Sequence, residues 1–112
     1  MRLLQILAAL SGALAVTVGA FAAHMLSGQS ADWMKTGAHY QLVHAVAALV
    51  AVRMGATGAG WAFIGGSAVF AGTLYAMAHG APHSLGAITP LGGVVMIIGW
   101  LMLAIATVRT ED

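Results

Sequence analysis

From Met54 to Val108 the chain carries no Asp, Glu, Lys or Arg. A soluble surface needs charge, so a stretch of that length and polarity belongs in lipid. One membrane crossing takes about 20 apolar residues, so the stretch suits two crossings with a turn between them. Reading the rest of the chain in the same way predicts helices at about 3–23, 31–54, 60–79 and 90–108. Short connections make consecutive helices antiparallel neighbours, which gives an up-down-up-down bundle. Thr89-Pro90 reads as an N-cap followed by a first helical position. Ser30 reads as the cap of an interfacial turn, Ala31-Asp32-Trp33-Met34, and Gly55 and Gly58 bracket the turn into the third helix.

Within each predicted helix the residues sort by size. Ser11, Ala15, Gly19 and Ala23 recur at every fourth position of the first helix, on one side with Ala8 and Gly12, while Leu3, Ile6, Leu7, Leu10, Leu14 and Phe21 take the other. Ala47-Ala51-Gly55 repeats the small spacing in the second helix and Ala68-Gly72-Ala76-Gly80 in the third. Gly92 and Gly99 share a face of the fourth helix with Met96, Leu103 and Thr107. Bulk lies opposite: Leu42, Val46 and Leu49 in the second helix, and Val94, Ile98, Leu101 and Ile105 in the fourth. Lipid tails are as apolar as Leu, so helices in a membrane associate by close van der Waals contact, which small residues permit. The expectation is therefore small faces inward and branched faces toward lipid, with Ser11, Ala15, Gly19, Ala47, Ala51, Gly72, Gly92 and Gly99 as packing positions. The same faces also suit a homo-oligomer or a larger membrane complex.

Composition agrees. Hydrophobic residues make up 61% of the 112 residues and charged residues 6%, and there is no cysteine. A single domain, 1–112, is implied. A net charge of +1 points to no nucleic-acid partner, and the missing thiols exclude disulfides and thiolate chemistry. Arg2, Arg53, Arg109 and the amino terminus fall at one end of the bundle and only Lys35 at the other, so the positive-inside rule places both termini in the cytoplasm. Trp33 and Tyr40 near one interface and Trp61 near the other fit an aromatic belt. Met1-Arg2, an apolar run and the small residues around Ala20-Phe21-Ala22 also resemble a secretory signal, a rival reading opposed by the packing face of this first helix.

Polar groups in hydrocarbon are costly, so each needs a partner or a purpose. Tyr40, Gln41 and His44 lie within about 100° of one another around the second helix and share its small face. His44 then points into the bundle, with Gln41, Tyr75, Ser67 and Ser11 as candidate partners. His24, His39, His79 and His83 fall toward the end opposite the arginines. Imidazoles could bind Zn or Cu or relay protons, with Met25, Met34 and Met77 as soft ligands, and His24 and His44 are the candidates for a metal. The spacing matches no metal signature, and interhelical hydrogen bonding explains the same residues. No Ser/His/Asp set at membrane depth, His-Glu-x-x-His, paired aspartates or phosphate loop is found, so neither enzyme nor cofactor is expected. The Gly65-Gly66-Ser67 and Gly92-Gly93 steps read as packing glycines. No charge inside a span and no inverted repeat argue against a transporter.

Four motifs point further: Gly19-Ala20-Phe21-Ala22-Ala23-His24, Tyr40-Gln41-Leu42-Val43-His44-Ala45, Phe70-Ala71-Gly72-Thr73-Leu74-Tyr75 and Ile88-Thr89-Pro90-Leu91-Gly92-Gly93. In this order and spacing the chain resembles the YgdD-like small membrane proteins, a domain of unknown function related to transmembrane protein 256. The resemblance covers nearly the whole chain and implies a four-helix inner-membrane protein with no assigned activity. Ala22 and Ala71 depart from it, standing where the related chains more often carry Gly and Ser. The motifs contain His24 and His44 but not His39, His79 or His83, which weakens a five-histidine site.

The reading is an all-α, four-transmembrane-helix antiparallel bundle of the bacterial inner membrane, surrounded by lipid. Its expected role is that of a structural or accessory subunit or scaffold. The alternative is a small-ligand, proton or metal-handling protein using a polar cluster of His24, Tyr40, Gln41, His44, Ser67 and Tyr75.

Overall fold

A computed structural model describes residues 2–110. Met1, whose amino group was counted with the inner charges, and Glu111 and Asp112 lie outside the described residues. The chain forms α1 (Arg2–Met25), α2 (Gly28–Arg53), α3 (Thr57–Ala78) and α4 (Thr89–Thr110), with a short 3-10 helix, His83–Ala87, before α4. The molecule measures 50 × 26 × 19 Å. α1, α3 and the segment His83–Arg109 are long and apolar enough to cross a membrane. α2 has the length, at 26 residues, but Asp32, Lys35, His39, Gln41 and His44 dilute its apolarity. Its position compensates: α2 packs between α1 and α3, and its inward face is buried in protein rather than lipid.

The order of packing is serial. α1 lies on α2, α2 on α3 and α3 on α4, while α1 touches α3 only slightly and makes no substantial backbone approach to α4. Side chains close the core at the arginine end. Ala8 of α1, Ala47, Ala48 and Ala51 of α2, and Ala59 and Phe63 of α3 form one buried cluster, with Leu103 and Ala106 of α4 against it. Leu4 is fully buried beside Gly60, so the first helix belongs to the core.

The turns between helices are short because glycine closes them. Gly55 has φ 76° and Gly80 has φ 99°, values that L side chains avoid. At α2 the Gly55 amide donates to Val52 O and Ala56 N to Ala51 O; at α3 Gly80 N donates to Met77 O and Ala81 N to Ala76 O. Each pair is a Schellman motif, which satisfies carbonyls the helix end leaves over.

Three expectations change. α2 begins at Gly28 and runs unbroken through Trp33, so Ser30 lies inside its first turn and Ser27 holds the capping position without a side-chain cap bond. The Thr89 hydroxyl turns to Leu85 O and Thr73 Oγ1. The small face of α3 points outward: Gly72 and Ala68 are exposed, and a Cβ at Gly72 would meet nothing within 4 Å. α3 turns Phe63, Gly66, Ser67, Leu74 and Met77 inward instead, because its large side chains fill the hollows above the alanines of α2 and the glycines of α4.

The other packing positions take varied places. Ala15, Ala47, Ala51, Gly92 and Gly99 are buried, and Ser11 and Gly19 are half-buried. A Cβ at Gly19 would rest 3.6 Å from Ala38. At Gly92 it would lie 2.5 Å from Phe70 N and 2.6 Å from Gly66 O, so α3 and α4 touch there backbone to backbone.

Candidate functional site

The polar residues of α2 lie halfway along it and reach all three other helices. Gln41 is buried. Its Nε2 donates to Ser11 Oγ of α1 at 3.1 Å, and its Oε1 accepts from the Tyr75 hydroxyl of α3 at 2.7 Å. One amide therefore uses its donor side toward one neighbour and its acceptor side toward the other. Gly37, one turn earlier, lets the Tyr75 ring approach: a Cβ there would lie 2.7 Å from its Cε1.

His44 faces α4. Nε1 of Trp100 lies 3.0 Å from His44 Nε2, and His44 Nδ1 lies 2.7 Å from Tyr40 O. An indole N–H can only donate, so Nε2 is the acceptor and Nδ1 carries the proton, which it donates to the Tyr40 carbonyl. Both ring nitrogens are engaged, and a metal ion at Nε2 would have to displace the indole. The imidazole is packed edge-on against Phe63 and Trp100, with centroids 5.5 and 5.7 Å away.

The partner of His44 is thus Trp100 rather than Gln41, Tyr75, Ser67 or Ser11, the candidates its helical position suggests. Its position in the sequence carries the signal: a tryptophan midway along a membrane helix has an N–H that needs an acceptor. Ser67 is fully buried but donates within its own helix, to Ile64 O at 3.3 Å. His24 stands apart. Gly12 packs on Ala45, which sets the level of His44, so His24 lies roughly 18 Å further along α1 at 1.5 Å per residue. Of the remaining histidines, His39 touches the Tyr40 ring edge-on and His83 touches Trp33. Among the described residues no three His, Cys, Asp or Glu side chains gather as a metal set.

Tyr40 is not an interface residue. It lies halfway along α2, roughly 18 Å from either end. Its ring leans on Phe70 at 4.9 Å, and its hydroxyl makes no hydrogen bond among the described residues. It lines a cavity of about 410 Å³ between α2 and α4, with Phe70 of α3 as floor and His44 and Trp100 at one end. A second cavity, about 530 Å³, shares Phe70 and continues toward Trp33, Leu74 and Met77.

Residues 18–93 match the family described as Protein of unknown function (DUF423), a span that contains all four sequence motifs. The chain is 42% identical to the UPF0382 membrane protein SAB0533 of Staphylococcus aureus, over 97% of this chain and 98% of the relative. It is 40% identical to the UPF0382 membrane protein YwdK of Bacillus subtilis, over 97% and 98%, and 37% identical to a UPF0382 membrane protein of Haemophilus influenzae, over 95% and 94%. No solved structure matches the chain. With its apolar helices and these full-length relatives, the chain belongs to the DUF423 family of small bacterial membrane proteins of unknown function, and it is a multi-pass protein of the bacterial inner membrane.

Proposed function

We propose that the protein is a non-enzymatic accessory or scaffolding subunit, assembled as a homo-oligomer or within a larger membrane complex, with both termini in the cytoplasm. The outward face of α3 carries this reading. Gly65, Ala68 and Gly72 form an exposed strip, and Cβ atoms at Gly65 and Gly72 would meet nothing. Glycine inside a helix costs about 1 kcal/mol relative to alanine, and close approach by another helix offsets that cost. Among the described residues no helix makes that approach, which leaves the strip for a neighbour. The buried polar side chains support the same reading, since they are engaged within the chain.

The test is gentle detergent extraction followed by native mass spectrometry of wild type and Gly72→Leu. Wild type should appear as an oligomer or with a stoichiometric partner, and the leucine should release a folded monomer. A wild type that is monomeric throughout overturns the reading. Reporters fused at the two ends test topology, and activity of either reporter outside the cytoplasm refutes that part.

A further inference from the structure

We propose that the cavity between α2 and α4 binds a flat, uncharged ring bearing a carbonyl and carried on an apolar tail, the chemistry of a membrane quinone. The Tyr40 hydroxyl motivates this. It lies on a helix midpoint, on a side chain that is 43% exposed, lines the cavity and makes no hydrogen bond among the described residues. A hydroxyl left unbonded in hydrocarbon is costly, and an acceptor on a ligand removes the cost. The other polar groups on the wall, His44 and Trp100, are already bonded to each other, so the Tyr40 hydroxyl is the polar group left to meet a ligand, and its O–H can donate to a carbonyl there.

The walls select a ring over a plain chain. Four aromatic rings line the cavity: Tyr40 and Phe70 are tilted at 57°, and Trp100 and His44 meet at 73°. Aromatic pairs gain from offset and edge contacts beyond the area they bury, and Met96 adds a polarizable sulfur to the wall. Gly93 leaves the α4 side open, since a Cβ there would only reach ordinary contact with Phe70, at 4.0 Å. No Lys, Arg, Asp or Glu lines the cavity, so the ligand is neutral. The exposed Trp100 and Ile97 place its mouth on the lipid-facing surface. The adjoining cavity past Phe70 offers an apolar path for the tail. This site is independent of the accessory reading, because it is measured on the purified chain with or without a partner.

The experiment uses purified Trp33→Phe/Trp61→Phe protein in lipid nanodiscs, so that Trp100 is the only tryptophan, and titrates ubiquinone-1 while following its fluorescence. Saturable quenching is expected. Tyr40→Phe, which keeps the ring, should bind about tenfold more weakly, as loss of one hydrogen bond implies. Gly93→Leu should abolish saturation by filling the cavity, with thermal unfolding showing that each variant folds. Unsaturable quenching in the parent overturns the proposal. So does an affinity unchanged in Tyr40→Phe, or displacement by oleate at concentrations equal to the quinone, which would mark a site for any acyl chain.

Discussion

Trp100 of α4 and His44 of α2 are joined at 3.0 Å although their helices make no substantial backbone approach to each other. The bond links the second and fourth helices of the serial arrangement, which neighbour packing alone does not join. Trp100→Phe keeps most of the ring and removes the donor. It should lower stability in detergent by about 0.6–2 kcal/mol, the range for one interhelical hydrogen bond. A double-mutant cycle with His44→Ala isolates the pair, and a coupling near zero would show that the bond contributes nothing.

Gln41 is bonded on both sides. Gln41→Leu should therefore cost more than either Ser11→Ala or Tyr75→Phe, because it leaves the Ser11 and Tyr75 hydroxyls without their partner. Once Gln41 is gone, adding Tyr75→Phe should cost little more. Thermal unfolding of the single and double variants checks the order, and strictly additive losses would contradict it.

Gly92 and Gly72 should respond oppositely to alanine. At Gly92 the new methyl meets backbone of Phe70 and Gly66 and must push α3 and α4 apart. At Gly72 it meets open space, and the isolated chain should gain up to about 1 kcal/mol from helix propensity. Unfolding of the two variants as monomers in detergent compares them directly, and a Gly72→Ala monomer that loses stability would show a contact absent from this structure.

These two glycines also show where sequence legibility ended. Small residues recur at four-residue spacing on more than one face of α3, and spacing alone does not say which face meets a neighbour. In α1, α2 and α4 most of the small side packs and most of the bulky side is exposed, as with Ala15 against Leu14 or Gly99 against Ile98, although Ala23 is exposed and Leu4 is buried. α3 inverts the rule by burying Phe63, Leu74 and Met77. Membrane residence, helix number and the inward aim of Gln41 and His44 were legible because each follows from hydropathy or helical period along one segment. The His44 to Trp100 bond depends on how far apart two non-adjacent helices lie, which no single segment encodes.

Gly55 and Gly80 hold the left-handed positions that end α2 and α3. Alanine at either should cost about 1–2 kcal/mol, since a Cβ there strains the conformation even where space is free. Asparagine, which tolerates this region better, should recover part of the loss. Chemical unfolding of the alanine and asparagine variants measures both steps.

The polarity of α2 has a consequence for how the chain is made. Alone among the four helices it is not apolar enough to enter lipid on its own account, and its Gln41 side chain finds a full set of partners only when α1 and α3 flank it. Biogenesis is thus expected to be cooperative, with α2 settling after the helix that follows it in synthesis. A nascent chain truncated after Arg53 should integrate α2 less completely than one truncated after Ala78, as read by a glycosylation or protease-protection assay. Equal integration would show that α2 enters unaided.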